Sequence, residues 1–156
     1  EMHYVLEQYL NGLGYLNLSK EGILPRMMAH TIVSNLDQFS QVYGTEVSLN
    51  YEDQWAGSTD VVGVYKGKPT IVDFKQSNKP KREEWIEDYY YQIAAYSLAH
   101  KKNFGDIQQG LICVCTKDLL YQGFEMNQEL LAEYEDKWFD RVKRFYKNFK
   151  TSSPKV

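Results

Sequence analysis

Hydrophobic residues recur along this chain at the spacings of both helices and strands. Steps of three and four positions predict helices over residues 1–13, 23–43 and 83–102, and along a segment that follows Asn127. Asn127 is expected to cap that last helix, because its side chain can accept a hydrogen bond from the first turn. The core stripe of the second helix is predicted to consist of Leu24, Met28, Ile32, Leu36, Phe39 and Tyr43. That of the last helix is predicted to consist of Leu131, Tyr134, Trp138, Val142, Phe145 and Phe149.

Runs of β-branched and aromatic residues predict strands between the helices. Strands are expected at residues 45–51, 61–65, 70–74, 110–116 and 119–125. The first alternates apolar and polar residues, which is typical of a half-buried strand, whereas the fourth is continuously apolar, as in a strand covered on both faces. Together the elements predict a mixed α/β fold, with a central sheet of about five strands flanked by helices.

The central strands are predicted to form a β-hairpin. Residues 61–65 and 70–74 flank the turn sequence Lys-Gly-Lys-Pro at 66–69. With the loop centred on Gly67 and Lys68, the two strands pair in antiparallel register. The ends of the strands that lie far from the turn are then next to each other.

This register predicts a cluster of charged groups at the open end of the hairpin. It sets Asp60 opposite Lys75 and Val62 opposite Asp73. Because cross-strand partners share a sheet face, as do residues two apart on one strand, Asp60, Asp73 and Lys75 lie on one side. Two carboxylates and an ammonium are costly at the end of an apolar hairpin unless they have a task. Carboxylate oxygens beside a lysine suit Mg²⁺ or Mn²⁺ and a phosphate.

A simpler interpretation of the same residues is a surface salt bridge at the end of a hairpin. An acidic residue two positions before a lysine is common, and the chain has another case at Glu135 and Lys137. That case lies in a helical segment, where this spacing places the carboxylate and the amine on different faces. The strand context and the second carboxylate at Asp60 therefore set the hairpin cluster apart.

Further polar residues are candidates for the same site, and each has a simpler interpretation. Gln92 and Tyr96 lie one helical turn apart, and the amide is either a satisfied core group or an arm toward a phosphate or the lysine. His3 and Glu7 are also one turn apart, either as a pair on a helix surface or with His3 as a metal ligand. Glu46 is either a polar-face residue of its strand, which the pattern slightly favours, or a supporting carboxylate.

Basic segments offer contacts to a phosphate backbone, although solvated surface is their default interpretation. Residues 76–82 form a polar and basic loop directly after the hairpin. The outer faces of the last helix carry Lys137, Arg141, Lys143, Arg144, Lys147 and Lys150.

Length and composition restrict the class of protein. The 156 residues predict a single domain over 1–150 with a short tail at 151–156, and the start at Glu1 leads us to expect an N-terminally truncated fragment. The two cysteines are too few for a disulfide framework or a four-thiolate metal site, so an intracellular protein is expected. The net charge of −3 means that a nucleic-acid partner needs a local basic surface or bound cations. No apolar run reaches membrane-spanning length, so no membrane partner is expected.

Taken in chain order, the motifs resemble those of the PD-(D/E)XK nucleases. The matching segments are 2–7 (MHYVLE), Glu46, 56–60 (AGSTD), 71–75 (IVDFK) and 92–96 (QIAAY). More narrowly, they resemble the RecB-like exonuclease branch, which includes mitochondrial genome maintenance exonucleases and small phage exonucleases. Branch members with a four-cysteine iron–sulfur cluster are excluded as close matches, because the chain has two cysteines.

The resemblance implies a restriction-endonuclease-like fold and roles for individual residues. The implied ligands of a Mg²⁺ or Mn²⁺ ion are His3, Asp60, Asp73 and the main-chain carbonyl of Phe74. Lys75 is implied to orient or help to deprotonate the attacking water, and Gln92 and Tyr96 to position the scissile strand or the lysine. Glu7 and Glu46 are implied to be supporting residues.

The implied activity is a metal-dependent deoxyribonuclease, an exonuclease that prefers single-stranded DNA ends. The implied context is DNA replication, recombination or repair, in a phage-infected bacterial cytoplasm or an organelle matrix. The alternatives are a structure- or sequence-specific endonuclease of the same superfamily and a non-catalytic module that binds DNA ends. The intact set of Asp60, Asp73 and Lys75 disfavours the non-catalytic module.

Overall fold

The computed structural model describes residues 23–82 and 86–152. The helices are α1 (Ile23–Val33), α2 (Glu87–Asn103) and α3 (Gln128–Ser152). The strands are β1 (Phe39–Tyr51), β2 (Trp55–Tyr65), β3 (Lys68–Ser77), β4 (Gln109–Thr116) and β5 (Tyr121–Met126). The predicted first helix, with His3 and Glu7, lies outside the described residues.

The strands form one mixed sheet in the order β1-β2-β3-β4-β5. All neighbouring pairs are antiparallel except β3 and β4, which are parallel and joined by the crossover through α2. A parallel pair needs such a crossover, because a tight turn cannot reverse the chain direction twice. The predicted mixed α/β fold with five strands is therefore confirmed.

Helices cover both faces of the sheet. On one face α1 packs on a cluster that includes Met28, Ile32, Val61, Val72 and Leu111. On the other face α2 and α3 pack on a cluster that includes Ile71, Ile93, Ile112, Met126 and Leu131. Every residue of β4 after Gln109 is buried, as the continuous apolar run predicted.

The prediction of one helix over residues 23–43 is wrong beyond Val33. The chain turns after α1, and Phe39–Tyr51 is a long strand that pairs with β2. Two register shifts, between Phe39 and Gln41 and between Val42 and Gly44, break the period of two there and hide the strand from its sequence pattern. Tyr43, assigned to the helix core, is 58% exposed on this strand.

The hairpin exists, but its predicted register is wrong by two residues. Tyr65 pairs with Lys68 instead of Thr70, so the loop consists of Lys66 and Gly67. Both loop residues have positive φ, at 50° and 78°, as a type I′ turn requires. A shift of two residues preserves the alternation of faces, so the predicted side for the charged residues is unaffected.

The last elements follow the prediction with one correction. Asn127 caps α3, since its Oδ1 accepts a hydrogen bond from Leu130 N at 2.8 Å. Phe145, predicted to be in the core stripe, is instead 63% exposed, and α3 ends at Ser152. In the part of the chain that the structure describes, no helix is both long and apolar enough to span a bilayer.

Candidate active site

The two hairpin carboxylates meet where the β2–β3 ladder ends. The last backbone pair is Val61 with Val72. Beyond it, side chains replace the ladder: Phe74 N donates to Asp60 Oδ2 at 2.7 Å, and Asp60 N donates to Asp73 Oδ1 at 3.3 Å. Each aspartate therefore binds the main chain of the opposite strand, which fixes both carboxylates at the end of the hairpin.

Thr59, part of the quoted motif at 56–60, contacts Asp73 and was given no role from the sequence. Its side chain is fully buried, and its hydroxyl donates to Val72 O at 3.1 Å. The same hydroxyl lies 3.4 Å from Asp73 Oδ1. Its position directly before Asp60 was the available signal.

Lys75 lies on the same face, as the hairpin pattern predicted. Its Nζ is 3.6 Å from Asp73 Oδ2 and donates to Gln92 Oε1 at 3.0 Å. The ammonium also lies 4.9 Å from the centre of the Tyr89 ring, a cation–π contact. An acid, an amide and an aromatic ring thus hold the amine in place. Tyr89 was not foreseen as part of the site; its position three residues before Gln92 on the same helix was the available signal.

Gln92 links the lysine to Tyr96. Its Nε2 donates to the Tyr96 hydroxyl oxygen at 3.0 Å, while its Oε1 faces Lys75. The ammonium of Lys75 can only donate hydrogen bonds, so the oxygen of the Gln92 amide must face it and the nitrogen must face Tyr96. Burial raises the pKa of Tyr96, so its hydroxyl keeps its proton at neutral pH and can donate to a further acceptor.

Tyr96 reaches this position because residue 57 is glycine. A Cβ atom built on Gly57 would lie 2.7 Å from Tyr96 Cε1 and 2.9 Å from its hydroxyl oxygen. Any larger side chain at this point of β2 would therefore displace the tyrosine. Gly57 was part of the motif quoted from the sequence, but its contact with α2 was not foreseen.

Burial sets the electrostatics of the carboxylate pair. Asp73 is only 3% exposed. Burial raises the pKa of Asp73 to about 6, against the opposing effect of the Lys75 ammonium and with a smaller contribution from Asp60. A single lysine thus does not offset the loss of hydration, and a further cation beside the pair would be stabilising.

The donor set suits a hard divalent cation. Carboxylate oxygens are ligands of Mg²⁺ and Mn²⁺, and Mg²⁺ is commonly held by one or two carboxylates together with water and substrate phosphates. Within residues 23–82 and 86–152, no group of three His, Cys, Asp or Glu side chains is close enough to hold a metal ion. His3, the further side-chain ligand predicted from sequence, lies outside those residues.

Two of the predicted residues keep their roles as predictions. Glu46 lies between the pairs Thr45 with Val61 and Val47 with Thr59, which puts it level with Asp60 in register. It is exposed and has a φ of 49°. The Phe74 N–H donates to Asp60, and the metal-binding role of the Phe74 carbonyl stays a prediction.

Comparison with known proteins finds relatives that share most of this chain. No protein-family model matches. Human mitochondrial genome maintenance exonuclease 1 is 30% identical over 152 residues, which cover 92% of this chain and 43% of that protein. The mouse protein of the same name is 32% identical over 127 residues, covering 76% of this chain and 37% of that protein. The chain thus spans less than half the length of these relatives.

A solved structure has a similar fold. A protein from Eubacterium rectale, provisionally named an exonuclease, superimposes with a TM-score of 0.51 and 17% identity. The match covers 92% of this chain and 65% of that chain. At this identity the likeness concerns the fold, and it agrees with a restriction-endonuclease-like arrangement of the sheet and helices.

Proposed function

We propose, on the premise that the chain is a nuclease of the PD-(D/E)XK type, that it is a metal-dependent DNA exonuclease. One observation carries the proposal: Asp60, Asp73 and Lys75 converge at the end of the hairpin, and Gln92 links the lysine to Tyr96. The relatives named above are exonucleases by name, and they supply the direction of the proposal. The contacts among these side chains indicate which residues would carry the proposed activity.

The proposed cofactor is Mg²⁺ or Mn²⁺. Asp60 and Asp73 would hold it, with the Phe74 carbonyl and His3 as further proposed ligands. When bound, the ion would acidify a water molecule and stabilise the negative charge that develops on the phosphate. It would also allow a chain of net charge −3 to accept a polyanion.

The residues around the carboxylates would act on the substrate and the water. The Lys75 ammonium, which contacts Asp73 and Gln92, would orient the attacking water and offset charge on the phosphate. The Tyr96 hydroxyl accepts from Gln92 and keeps a hydrogen to donate, so it can bind a phosphate oxygen of the scissile strand.

The preferred substrate is proposed to be single-stranded DNA ends, in DNA replication, recombination or repair. This preference rests on the resemblance to the RecB-like branch. Exposed aromatic side chains would suit it, since stacking on unpaired bases tolerates any sequence.

The proposal is tested with end-labelled single- and double-stranded DNA incubated with Mn²⁺, Mg²⁺ or EDTA. We expect mononucleotides or short oligonucleotides to be released from single strands with metal and no release in EDTA. Covalently closed single-stranded circles should stay intact, because an exonuclease needs an end, whereas linearised circles would indicate the endonuclease alternative. Asp73→Asn should abolish cleavage and retain DNA binding. A wild-type protein that binds DNA ends but cleaves nothing with either metal would support the non-catalytic alternative and overturn the proposal.

A further inference from the structure

A groove of about 620 Å³ lies at the carboxyl end of β3 and β4, next to the candidate active site. Its polar lining comes from Gln76, Ser77 and Asn78, and its charged lining from Lys79, Lys81 and Lys117. No carboxylate lines it. The groove is therefore a local basic surface on a chain whose net charge is −3.

The lysines of this groove differ from most others in the described part of the chain. Elsewhere, five lysines have their Nζ within 4.0 Å of a carboxylate oxygen: Lys66, Lys75, Lys101, Lys102 and Lys137. In contrast, the side chains of the three groove lysines form no ion pair or hydrogen bond with any described residue. Their ammonium groups are thus available to an anion.

The main chain beneath the groove is fixed by specific hydrogen bonds. The Gln122 side chain on β5 accepts from Lys81 N at 2.7 Å and donates to Lys81 O at 2.7 Å. Lys117 N donates to Ser77 O at 3.2 Å, and Lys79 N donates to the Ser77 hydroxyl at 3.3 Å. The loop after β3 is therefore held against the ends of β4 and β5, which reduces the entropy lost when a ligand binds.

The groove and the candidate active site share one strand end. Gln76 directly follows Lys75 on β3, and Ser77 is two residues, about 7 Å, further along. Ligands of open α/β sheets bind outside the carboxyl ends of their strands, which is where both features lie. Adjacent residues point to opposite faces, so a ligand spanning both would cross the strand end from the α2 side toward α1. Met28 of α1 does line the groove.

We propose that this groove binds the phosphodiester backbone of the DNA strand adjacent to the scissile phosphate. The inference rests on the proposed function and deepens it, because it names the path of the strand beyond the site of hydrolysis. Three ammonium groups and the side-chain amides of Gln76 and Asn78 suit phosphate oxygens. The groove has no aromatic lining on which bases could stack, so the contact is to the backbone and independent of sequence.

The test compares two variants with equal loss of charge. The groove variant is Lys79→Gln, Lys81→Gln and Lys117→Gln. The matched control is Lys66→Gln, Lys68→Gln and Lys102→Gln, three exposed lysines elsewhere on the described surface. Binding of a fluorescent single-stranded oligonucleotide is measured by anisotropy in EDTA, at salt concentrations from about 50 to 200 mM. Thermal melting checks that both variants are folded.

The groove variant should bind about tenfold or more weakly at the lowest salt, and the slope of log K against log salt should fall by about 2. That fall corresponds to the loss of about three phosphate contacts on a single strand. The control should bind within about threefold of wild type with an unchanged slope. Equal weakening in both variants, or a groove variant that binds like wild type, would overturn the proposal.

A second readout separates this proposal from the proposed function. With Mn²⁺, the groove variant should raise KM for the oligonucleotide about tenfold or more. Its turnover of a p-nitrophenyl ester of thymidine monophosphate, which is too small to reach the groove, should match wild type. A wild-type protein that hydrolyses neither substrate contradicts the proposed function, and the binding experiment still decides the groove. Equal hydrolysis of both substrates by wild type and groove variant contradicts the groove alone.

Discussion

At the scale of single residues, the candidate site combines charges that folding alone does not favour. Asp73 is buried beside a second carboxylate, and Lys75 offsets its charge only in part. Such an arrangement is a cost to stability that binding of a cation and a substrate can recover.

Replacing Asp73 by asparagine should therefore stabilise the metal-free protein. Burial raises the pKa of Asp73 to about 6, above its unfolded value of about 3.9. Between these values the native state keeps a proton that the unfolded state has lost, so the free energy of unfolding falls as pH rises through this window. Above this pH window the free energy of unfolding is lowered by the full amount. The neutral side-chain amide of Asp73→Asn avoids this loss. In EDTA at about pH 7, Asp73→Asn should melt a few degrees higher than wild type, with a smaller difference near pH 4.

Asp53→Asn is the matched control for this measurement, because Asp53 is exposed on the turn after β1. It should leave the melting temperature unchanged in EDTA. Adding Mn²⁺ should raise the melting temperature of wild type and not that of Asp73→Asn, if the carboxylate is a metal ligand. A variant that melts lower than wild type in EDTA at neutral pH would contradict the expectation.

Gly57 acts as a positioning residue for Tyr96. In Gly57→Ala the added methyl would lie 2.7 Å from Tyr96 Cε1, so the ring must move and its hydrogen bond with Gln92 is lost. Gln92 is then less well held against Lys75. We expect nuclease activity to fall by about 100-fold, as misplacement of a catalytic group by about 1 Å does, with a small change in melting temperature.

A double-mutant cycle distinguishes this indirect effect from a general loss of stability. If Gly57 acts through Tyr96, then Gly57→Ala combined with Tyr96→Phe should be no less active than the weaker single variant. Ser58→Ala, at the exposed neighbouring position, is the control and should keep wild-type activity. Additive losses in the double variant would show that Gly57 does not act through the tyrosine.

At the scale of helices and strands, features set by residues adjacent in sequence were predicted better than features set by pairing between strands. The hairpin, the buried strand β4 and the Asn127 cap follow from residues adjacent in sequence. The register of the hairpin could not be predicted in this way. Its turn contains Lys66 at positive φ, a conformation that residue type alone does not indicate. Bulges likewise concealed the start of β1.

The contacts of the candidate active site also fall into a predictable group and a group that depends on packing. Asp73 and Lys75 share a face through the period of a strand, which sequence predicts. The hydrogen bond from Lys75 to Gln92 joins residues on β3 and α2, and depends on how the crossover seats the helix. The close approach of Gly57 to Tyr96 also depends on that packing. Sequence could therefore name these residues through a resemblance but could not derive their contacts.

Glu135 shows how α2 is held in place. Its carboxylate is buried on α3, accepts from the Ser97 hydroxyl at 3.1 Å and pairs with Lys101 Nζ at 3.0 Å, both on α2. Lys137 faces elsewhere and pairs with Glu133, as expected for this spacing on a helix. The acid–x–lysine pattern here serves helix packing.

Glu135→Ala should destabilise the protein by about 1–3 kcal/mol, because it leaves the buried Ser97 hydroxyl without its partner. Glu133→Ala, which removes an exposed pair on the same helix, should change the free energy of unfolding much less, because solvent screens exposed ion pairs. Urea unfolding of both variants measures the difference. Equal losses would mean that Glu135 does not contribute to the docking of α3 on α2.

At the scale of the whole molecule, the two cysteines report on the integrity of the fold. Cys113 and Cys115 are free thiols on the interior strand β4, and both are buried between the sheet and α1. Burial raises the pKa of Cys113 to about 12, and that of Cys115 rises for the same reason. The thiolate is the reactive species, so both burial and protonation oppose modification.

A thiol reagent should therefore label the native protein only through opening of the sheet. At about pH 8 we expect labelling of both thiols to be slower by orders of magnitude in buffer than in concentrated guanidinium chloride. Glu135→Ala, which weakens helix docking, should accelerate native labelling in proportion to its loss of stability. Mn²⁺ should slow it if the ion binds the folded site, since binding to the native state lowers the population of open molecules. Fast labelling of one thiol in buffer would contradict this, because it would require a local opening of β4 that the burial of its neighbours opposes.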